Sequence, residues 1–341
     1  MKIGLVKANF PGERRVPLLP KDIKDFKNEI LVEEGFGKFL DIDDQDYIDK
    51  GCHILSRAEV FAESEAIFSL KLIQPTDYSY LREGQMIIGW THPFGSGQSF
   101  MKDQALPKKL IVVDLDSNSP CIYYENEIFE SGIPKGLLYK NSFYAGYAGV
   151  IDALLQYGFI PTEETKIAIL GSGNVAQGAF SSISKYSSNI RMYYRKTMSI
   201  FKENYTKYDI IINGIEIGKD DDPILSLSEQ KSLKKGTLII DVAADAGNTI
   251  EGTHFTSMDD PIYENDGKYY YVVPNTPSLI YRNVSQELSK ILSENIFSED
   301  CSRFLSINSI AFEDSPLPII KSEISKIENI NFGICRTPLG N

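Results

Sequence analysis

The sequence predicts an α/β fold: two Rossmann-like domains, each a parallel sheet flanked by helices, with the active-site cleft between them. Three observations carry this. Short apolar runs alternate with helical stretches along most of the chain. Its 341 residues are about twice a typical domain of roughly 150. Near the middle, a long helix-like segment separates one strand–helix series from a second. A hydrophobic content of 42% supplies two cores without disulfides or a structural metal.

In chain order, Lys2–Val6, Ile30–Glu33, Ala66–Leu70, Gln85–Trp90 and Leu110–Val113 read as strands, with helices at Asp44–Lys50 and Arg57–Ala62 between them. Ser142–Tyr157 then places Tyr144, Ala148, Ile151, Leu154 and Leu155 at helical spacing and ends at Gly158, with Pro161 soon after, which is a capped helix followed by a stop. The second series reads Lys166–Leu170, Ile190–Tyr194, Tyr208–Asn213, Thr237–Asp241 and Tyr269–Val273, followed by a helix at Arg282–Ile296. No repeat of fixed period occurs, so a solenoid is excluded. The tail, interrupted by Pro316 and Pro318, reads as a loosely attached segment.

Composition removes several function classes. Lysine and arginine number 35 against 47 acidic residues, a net charge of −12, and phosphate neutralisation on a nucleic acid needs a basic surface. Cys52, Cys121, Cys301 and Cys335 form no Cys-x-x-Cys pair, and His53, His92 and His254 are far apart, so spacing indicates neither a zinc site nor a disulfide framework. No apolar run approaches the ~18 residues of a membrane span, and the charged start leaves no signal-peptide core. The expectation is a cytoplasmic protein that binds neither nucleic acid nor membrane.

Directly after the strand Lys166–Leu170 comes Gly171-Ser172-Gly173-Asn174-Val175-Ala176. Alone, Gly-x-Gly-x-x-Ala is weak. Here it follows a strand, opens a helix over Val175–Tyr186 and leads to another strand, the context that a dinucleotide fingerprint demands. Gly171 permits the tight turn, Gly173 the approach of a pyrophosphate, and Ala176 the helix–strand contact, while the helix N-terminus offers unpaired N–H groups. The next strand ends in Tyr193-Tyr194-Arg195-Lys196 with no carboxylate for a ribose 2′-hydroxyl. Arg195 can instead pair a 2′-phosphate, with Lys196 adding charge. At about 1.5–3 kcal/mol for such a bond, the preference is about ten- to a hundredfold. The motif thus reads as NADP(H)-binding, against the alternative of a solvated basic turn.

A hydride-transfer site also needs a proton-handling group and a cation for a substrate carboxylate. Arg15 lies on the loop after the first strand, Lys71 at the end of Ala66–Leu70, and His92 just past Gln85–Trp90, followed by Pro93-Phe94-Gly95. Strand ends of an α/β sheet are where ligands meet protein. Asp241-Val-Ala-Ala-Asp245 and Pro274-Asn275-Thr276-Pro277 also end strands, and their polar groups could equally be turn formers.

Taken together, the order Arg15-Val, Lys71, His92, Gly-x-Gly-x-x-Ala and Asp-Val-Ala-x-Asp resembles the alanine dehydrogenase and transhydrogenase family, whose relatives include saccharopine dehydrogenase. The likeness spans roughly residues 1–290. Val6-Lys-Ala-Asn-Phe-Pro-Gly-Glu-Arg-Arg-Val-Pro, Gly89-Trp-Thr-His-Pro-Phe-Gly and Gly171-Ser-Gly-Asn-Val-Ala-Gln-Gly most resemble a branch that joins pyruvate to the side-chain amine of ornithine or lysine by NADPH-dependent imine reduction. The resemblance implies that Arg15 binds the keto-acid carboxylate, that His92 is the acid–base histidine and that Asp245 is an active-site aspartate. Alanine dehydrogenases read Lys-x-Lys-Glu-Pro. Strict register would put Ile73 at their catalytic lysine, whereas the Leu-Lys of saccharopine dehydrogenases fits Lys71; residues 71 and 73 share a strand face.

The resemblance further implies a discontinuous substrate domain, 1–140 with 284–341, around an NADP(H) domain at 141–283, with Arg282–Ile296 as the returning helix, and a homo-oligomer, a tetramer. Two other readings stand beside reductive condensation: an alanine dehydrogenase- or saccharopine dehydrogenase-type oxidoreductase, and a non-catalytic NADPH sensor.

Overall fold

The computed structural model describes residues 1–117, 119–218 and 221–305; the reading of the tail with Pro316 and Pro318, and Cys335, lie outside these. The described chain falls into two compact units, Met1–Leu138 with the chain from Ser285 on, and Tyr139–Val284.

The sheet of the first unit contains β1 (Lys2–Val6), β2 (Glu29–Glu33), β3 (His53–Leu55), β4 (Ala66–Ser69), β5 (Met86–Gly89), β6 (Ile111–Asp114), β7 (Cys121–Tyr124) and β8 (Glu127–Glu130). Their order is β3-β2-β1-β4-β5-β6-β7-β8, so the winding reverses between β1 and β4. At that point the loops that leave the two strands diverge and open a crevice at the C-terminal edge. The six strands β1–β6 pair in parallel, and β4 and β5 are buried along their whole length, which is why they read as unbroken apolar runs.

The sheet also carries two strands that the sequence reading did not list: β7 and β8 run antiparallel to their neighbours. They form a hairpin whose turn puts Glu125 at φ 52°, so no crossover helix announces them. β3 escaped notice because three residues are too few to set a period.

In the second unit, β9 (Ile167–Leu170), β10 (Ile190–Tyr193), β11 (Ile210–Asn213), β12 (Leu238–Asp241), β13 (Ile262–Asn265) and β14 (Lys268–Tyr271) take the order β10-β9-β11-β12-β14-β13. Only β13 is antiparallel, joined to β14 through Asp266-Gly267, both at positive φ. That Asp-Gly is a hairpin signal present in the sequence. Alternate residues build the two cores. Ile167, Ile169, Ile210, Ile212 and Ile240 face the helix Tyr139–Tyr157, and Ala168, Leu170, Ile211 and Ile239 face Phe201 and Tyr208.

The helix Asn174–Ile183 is shorter than the Val175–Tyr186 expected; Ser184, Lys185 and Tyr186 beyond it are exposed. It packs tightly on Tyr139–Tyr157. A Cβ at Gly178 would lie 1.8 Å from the carbonyl oxygen of Phe143, and one at Gly146 would lie 1.9 Å from that of Val175. Gly178→Ala is therefore expected to force the helices apart and lower stability by about 1–3 kcal/mol, read as a drop in melting temperature.

The chain returns to the first unit on the helix Tyr281–Leu292, continued by a wider turn at Ser293–Phe297 rather than a single helix to Ile296. The extra residue in that turn delivers Phe297 edge-on to Phe68 of β4, with ring centroids 5.0 Å apart. Cys52, Cys121 and Cys301 are free thiols in buried positions. Among the described residues, no helix is long and apolar enough to cross a membrane.

Candidate active site

The loop that leaves β1 brings Arg15 to the crevice. Its guanidinium grips Glu13 with two bonds, Nε to Oε1 at 2.8 Å and Nη2 to Oε2 at 2.5 Å, while Glu13 Oε1 also accepts the Arg15 backbone N–H at 2.9 Å. Both side chains are almost wholly buried. A buried pair of this kind persists because each charge neutralises the other, and removing one partner typically costs about 3–5 kcal/mol. The Arg15 guanidinium also lies 5.8 Å from the ring centre of Trp90, a cation–π distance. Arg57 steadies the start of the same loop: its Nη1 donates to the Lys7 carbonyl at 3.0 Å and to Glu33 at 2.7 Å, while Nε and Nη2 pair Asp77.

β4 stops at Ser69, so Lys71 sits in a bend and not on a strand. This corrects the expectation that residues 71 and 73 share a strand face. Ile73 turns into the hydrophobic core, at 2% exposure. Lys71 instead joins the polar cluster, with its Nζ 5.3 Å from the ring centre of Phe10. Burial pushes its amine down to about 8; the Arg15 charge adds to the shift, and Glu13 and Asp116 oppose it.

His92 follows β5 in a tight turn, in the left-handed region at φ 44°. Few non-glycine residues hold that conformation without support. Gly95 and Gly97 both donate their amides to the His92 carbonyl at 2.9 Å. The neighbouring Thr91 is pinned through its N–H and hydroxyl to Asp114 at 2.9 and 2.8 Å. Asp114 is itself buried, which pushes its carboxyl above the ordinary range. The imidazole Nδ1 lies 2.8 Å from Asp116 Oδ2. A carboxylate on Nδ1 fixes the ring orientation and leaves Nε2 as the nitrogen that can exchange a proton with another molecule.

In the second unit the glycine-rich turn lies between β9 and the helix Asn174–Ile183. Gly171 has φ 109°, and a Cβ there would lie 3.0 Å from the Gly214 carbonyl oxygen. Ala176 is fully buried against the turn after β11. Gly173 is the N-cap residue, with no side-chain cap, and a Cβ built on it would meet nothing within 4 Å. The helix thus begins with open space before its first N–H groups. Ser172, Gly173, Asn174 and Val175 present the backbone that a pyrophosphate requires, so these residues fit a dinucleotide. Arg195 and Lys196 form a short turn just after β10, exposed to solvent.

Asp245 lies in the loop after β12 and ties that loop together. It accepts from Thr249 Oγ1 at 2.5 Å, the Thr249 N–H at 3.1 Å, Asn248 Nδ2 at 2.7 Å and the Ile217 N–H at 3.2 Å. Asp241, at the end of β12, accepts from Asn213 Nδ2 at 3.1 Å. Burial pushes its carboxyl up to about 6, against the hydrogen bonds it accepts.

Arg15, Lys71 and His92 thus gather at the C-terminal edge of the first sheet, and Gly171–Ala176, Arg195, Lys196 and Asp245 at that of the second. Sequence reasoning did not single out Glu13 or Asp116. Glu13 stood inside the quoted loop, two residues before the arginine it pairs, and Asp116 follows β6 at the edge where Arg15 and Lys71 also lie.

Comparisons with known proteins identify the family. The family profile described as alanine dehydrogenase/PNT, N-terminal domain, matches residues 4–117, and that of the C-terminal domain matches residues 179–298. The N(5)-(carboxyethyl)ornithine synthase of Lactococcus lactis subsp. lactis strain IL1403 is 96% identical over 309 residues, covering 91% of this chain and 100% of the relative. The protein of the same name from Clostridium botulinum strain Hall is 51% identical over 308 residues, covering 90% of this chain and 97% of its own. Among solved structures, an L-alanine dehydrogenase superposes with a TM-score of 0.72 at 20% identity, over 91% of this chain and 93% of that one, a likeness of fold.

Proposed function

The chain belongs to the alanine dehydrogenase/PNT family, an oxidoreductase family, and from that premise we propose that it condenses pyruvate with the side-chain amine of L-ornithine or L-lysine at the expense of NADPH. Pyruvate, the amine, NADPH and a proton give N5-(1-carboxyethyl)ornithine, or its N6-lysine analogue, with NADP⁺ and water. The carrying observation is the cluster of one arginine, one lysine of lowered pKa and one carboxylate-held imidazole on a single sheet edge. The name of the two relatives supplies the product.

In this reading Arg15 holds the keto-acid carboxylate, with Glu13 fixing the plane of its guanidinium. Lys71, as the ammonium, polarises the ketone oxygen. His92 takes the proton that the attacking amine must shed and returns one as water leaves, and Asp116 keeps Nδ1 occupied so that Nε2 does this work. Phe10 flanks Lys71 and Trp90 flanks Arg15 at cation–π distance. Asp245 holds the loop beside the cofactor turn in place and is our remaining candidate for contact with the reacting groups. Gly171–Ala176 would hold the pyrophosphate, and Arg195 with Lys196 the 2′-phosphate; bound NADPH supplies the hydride that reduces the imine carbon. A homotetramer in the cytoplasm, where NADPH is the reductant for synthesis, completes the proposal.

The test is NADPH oxidation with pyruvate plus ornithine, lysine or ammonia in parallel, and NADH alongside. Oxidation that needs pyruvate and a diamino acid is the expected result; oxidation with ammonia alone would make the protein an alanine dehydrogenase. Arg195→Ser is expected to cut the NADPH-over-NADH preference by about ten- to a hundredfold. An unchanged preference would remove Arg195 from the 2′-phosphate.

A further inference from the structure

Beyond Arg15 the chain runs Val16-Pro17-Leu18-Leu19-Pro20. Proline lacks an N–H, so this stretch cannot join a ladder, yet Val16, Leu18 and Leu19 are buried at 2%, 0% and 5% exposure. Their polar backbone groups need partners from elsewhere. Two serines on the returning helix accept the N–H groups of Val16 and Leu19, and a third on its continuation holds Asp22 just beyond. Ser285 Oγ accepts the Val16 N–H at 2.9 Å, and Ser289 Oγ accepts the Leu19 N–H at 2.8 Å. Ser289 also donates to Asp22 Oδ2, and Ser293 donates to the Asp22 carbonyl, each at 2.6 Å. Tyr47 closes the set by donating to the Leu18 carbonyl at 2.9 Å. Spaced by four, the serines share one helix face, and all three are buried, Ser285 and Ser289 at 0% exposure.

We infer that Ser285 and Ser289 are positioning residues for the keto-acid site, fixing the loop so that the Arg15 guanidinium, oriented by Glu13 on its Nε side, meets the substrate carboxylate. The inference rests on the proposed role of Arg15. The Ser285 bond is made to the peptide that joins Arg15 to Val16, so it sets the plane from which the Arg15 side chain departs. Alanine would fill nearly the same space, so packing does not explain the hydroxyls; their hydrogen bonds reach a segment about 270 residues away in sequence. A guanidinium that must meet a substrate carboxylate tolerates little misplacement.

The experiment uses the full-length enzyme with Ser285→Ala, Ser289→Ala, the double variant, Arg15→Lys, and Arg15→Lys combined with the double. Pyruvate KM is measured at saturating amine and NADPH, NADPH binding by its fluorescence, and melting temperature separately. The serine double variant is expected to raise pyruvate KM about tenfold, with kcat and NADPH affinity within about twofold of the parent. Arg15→Lys should raise it at least as much, and adding the serine changes to Arg15→Lys should add little, because both act through one guanidinium. A lower melting temperature with unchanged pyruvate KM would make the serines structural and overturn the inference. If Arg15→Lys leaves pyruvate KM unchanged, the role of Arg15 falls and the inference with it. If only the lysine variant raises it, Arg15 stands and the serine role alone is lost. The single variants, each lacking one hydroxyl, carry the same test should the double fail to fold.

Discussion

His92→Ala is expected to lower kcat by about 10²-fold or more while NADPH binding stays intact. The imidazole is held by Asp116 on one nitrogen and by a left-handed turn at its own backbone, an arrangement that costs conformational energy and serves one orientation. Alanine removes the proton-transfer group and leaves the turn. The Arg15–Glu13 pair and the second unit keep their own hydrogen bonds. Stopped-flow turnover together with NADPH fluorescence titration checks this, and near-normal turnover would take His92 out of the mechanism. Asp116→Asn provides the graded comparison. It retains an oxygen for Nδ1 but loses the negative charge, so a smaller fall of about tenfold is expected.

Lys71→Met should lower kcat/KM for pyruvate by about 10²- to 10³-fold, the usual effect of removing one preorganised donor at a developing oxyanion. The accompanying pH dependence has a definite sign. Burial disfavours the ammonium and brings Lys71 down to about 8, so the charged form predominates below that pH and is lost above it. If the ammonium polarises the ketone, kcat/KM for pyruvate at saturating amine falls as pH rises through about 8. Lys71→Arg, which stays charged far above this range, should act slowly but lose that limb. A limb that persists unchanged in Lys71→Arg would assign it to another group. A profile that rises through pH 8 in the parent enzyme would make neutral Lys71 the base and reverse the role proposed for it.

Most strands were legible because parallel strands covered on both faces have no polar alternation to obscure them. β1 matched residue for residue, and β4, β9 and β12 to within one or two at their ends. The antiparallel additions β7, β8 and β13 were not, since hairpins at a sheet margin carry short, mixed sequences; the Asp266-Gly267 turn was the one available signal. In the site, Arg15, His92 and the glycine turn were visible because each lies one loop beyond a readable strand. Asp116 was not, because nothing local distinguishes an aspartate that holds an imidazole from one that faces water.

The sequence by itself determined the α/β alternation, the strand–glycine–helix turn and the basic Arg195-Lys196 end of β10, because each is written in contiguous residues whose chemistry acts locally. Tertiary structure alone decided that Lys71 and not Ile73 enters the polar cluster, since β4 ends two residues short of Lys71. It also decided that Arg15 is gripped by a buried carboxylate, and that the loop carrying it hangs from Ser285 and Ser289. Those outcomes depend on which buried N–H, guanidinium or ammonium finds a partner. The partners come from strand ends and helix faces that are distant in sequence and meet only when the sheet has formed.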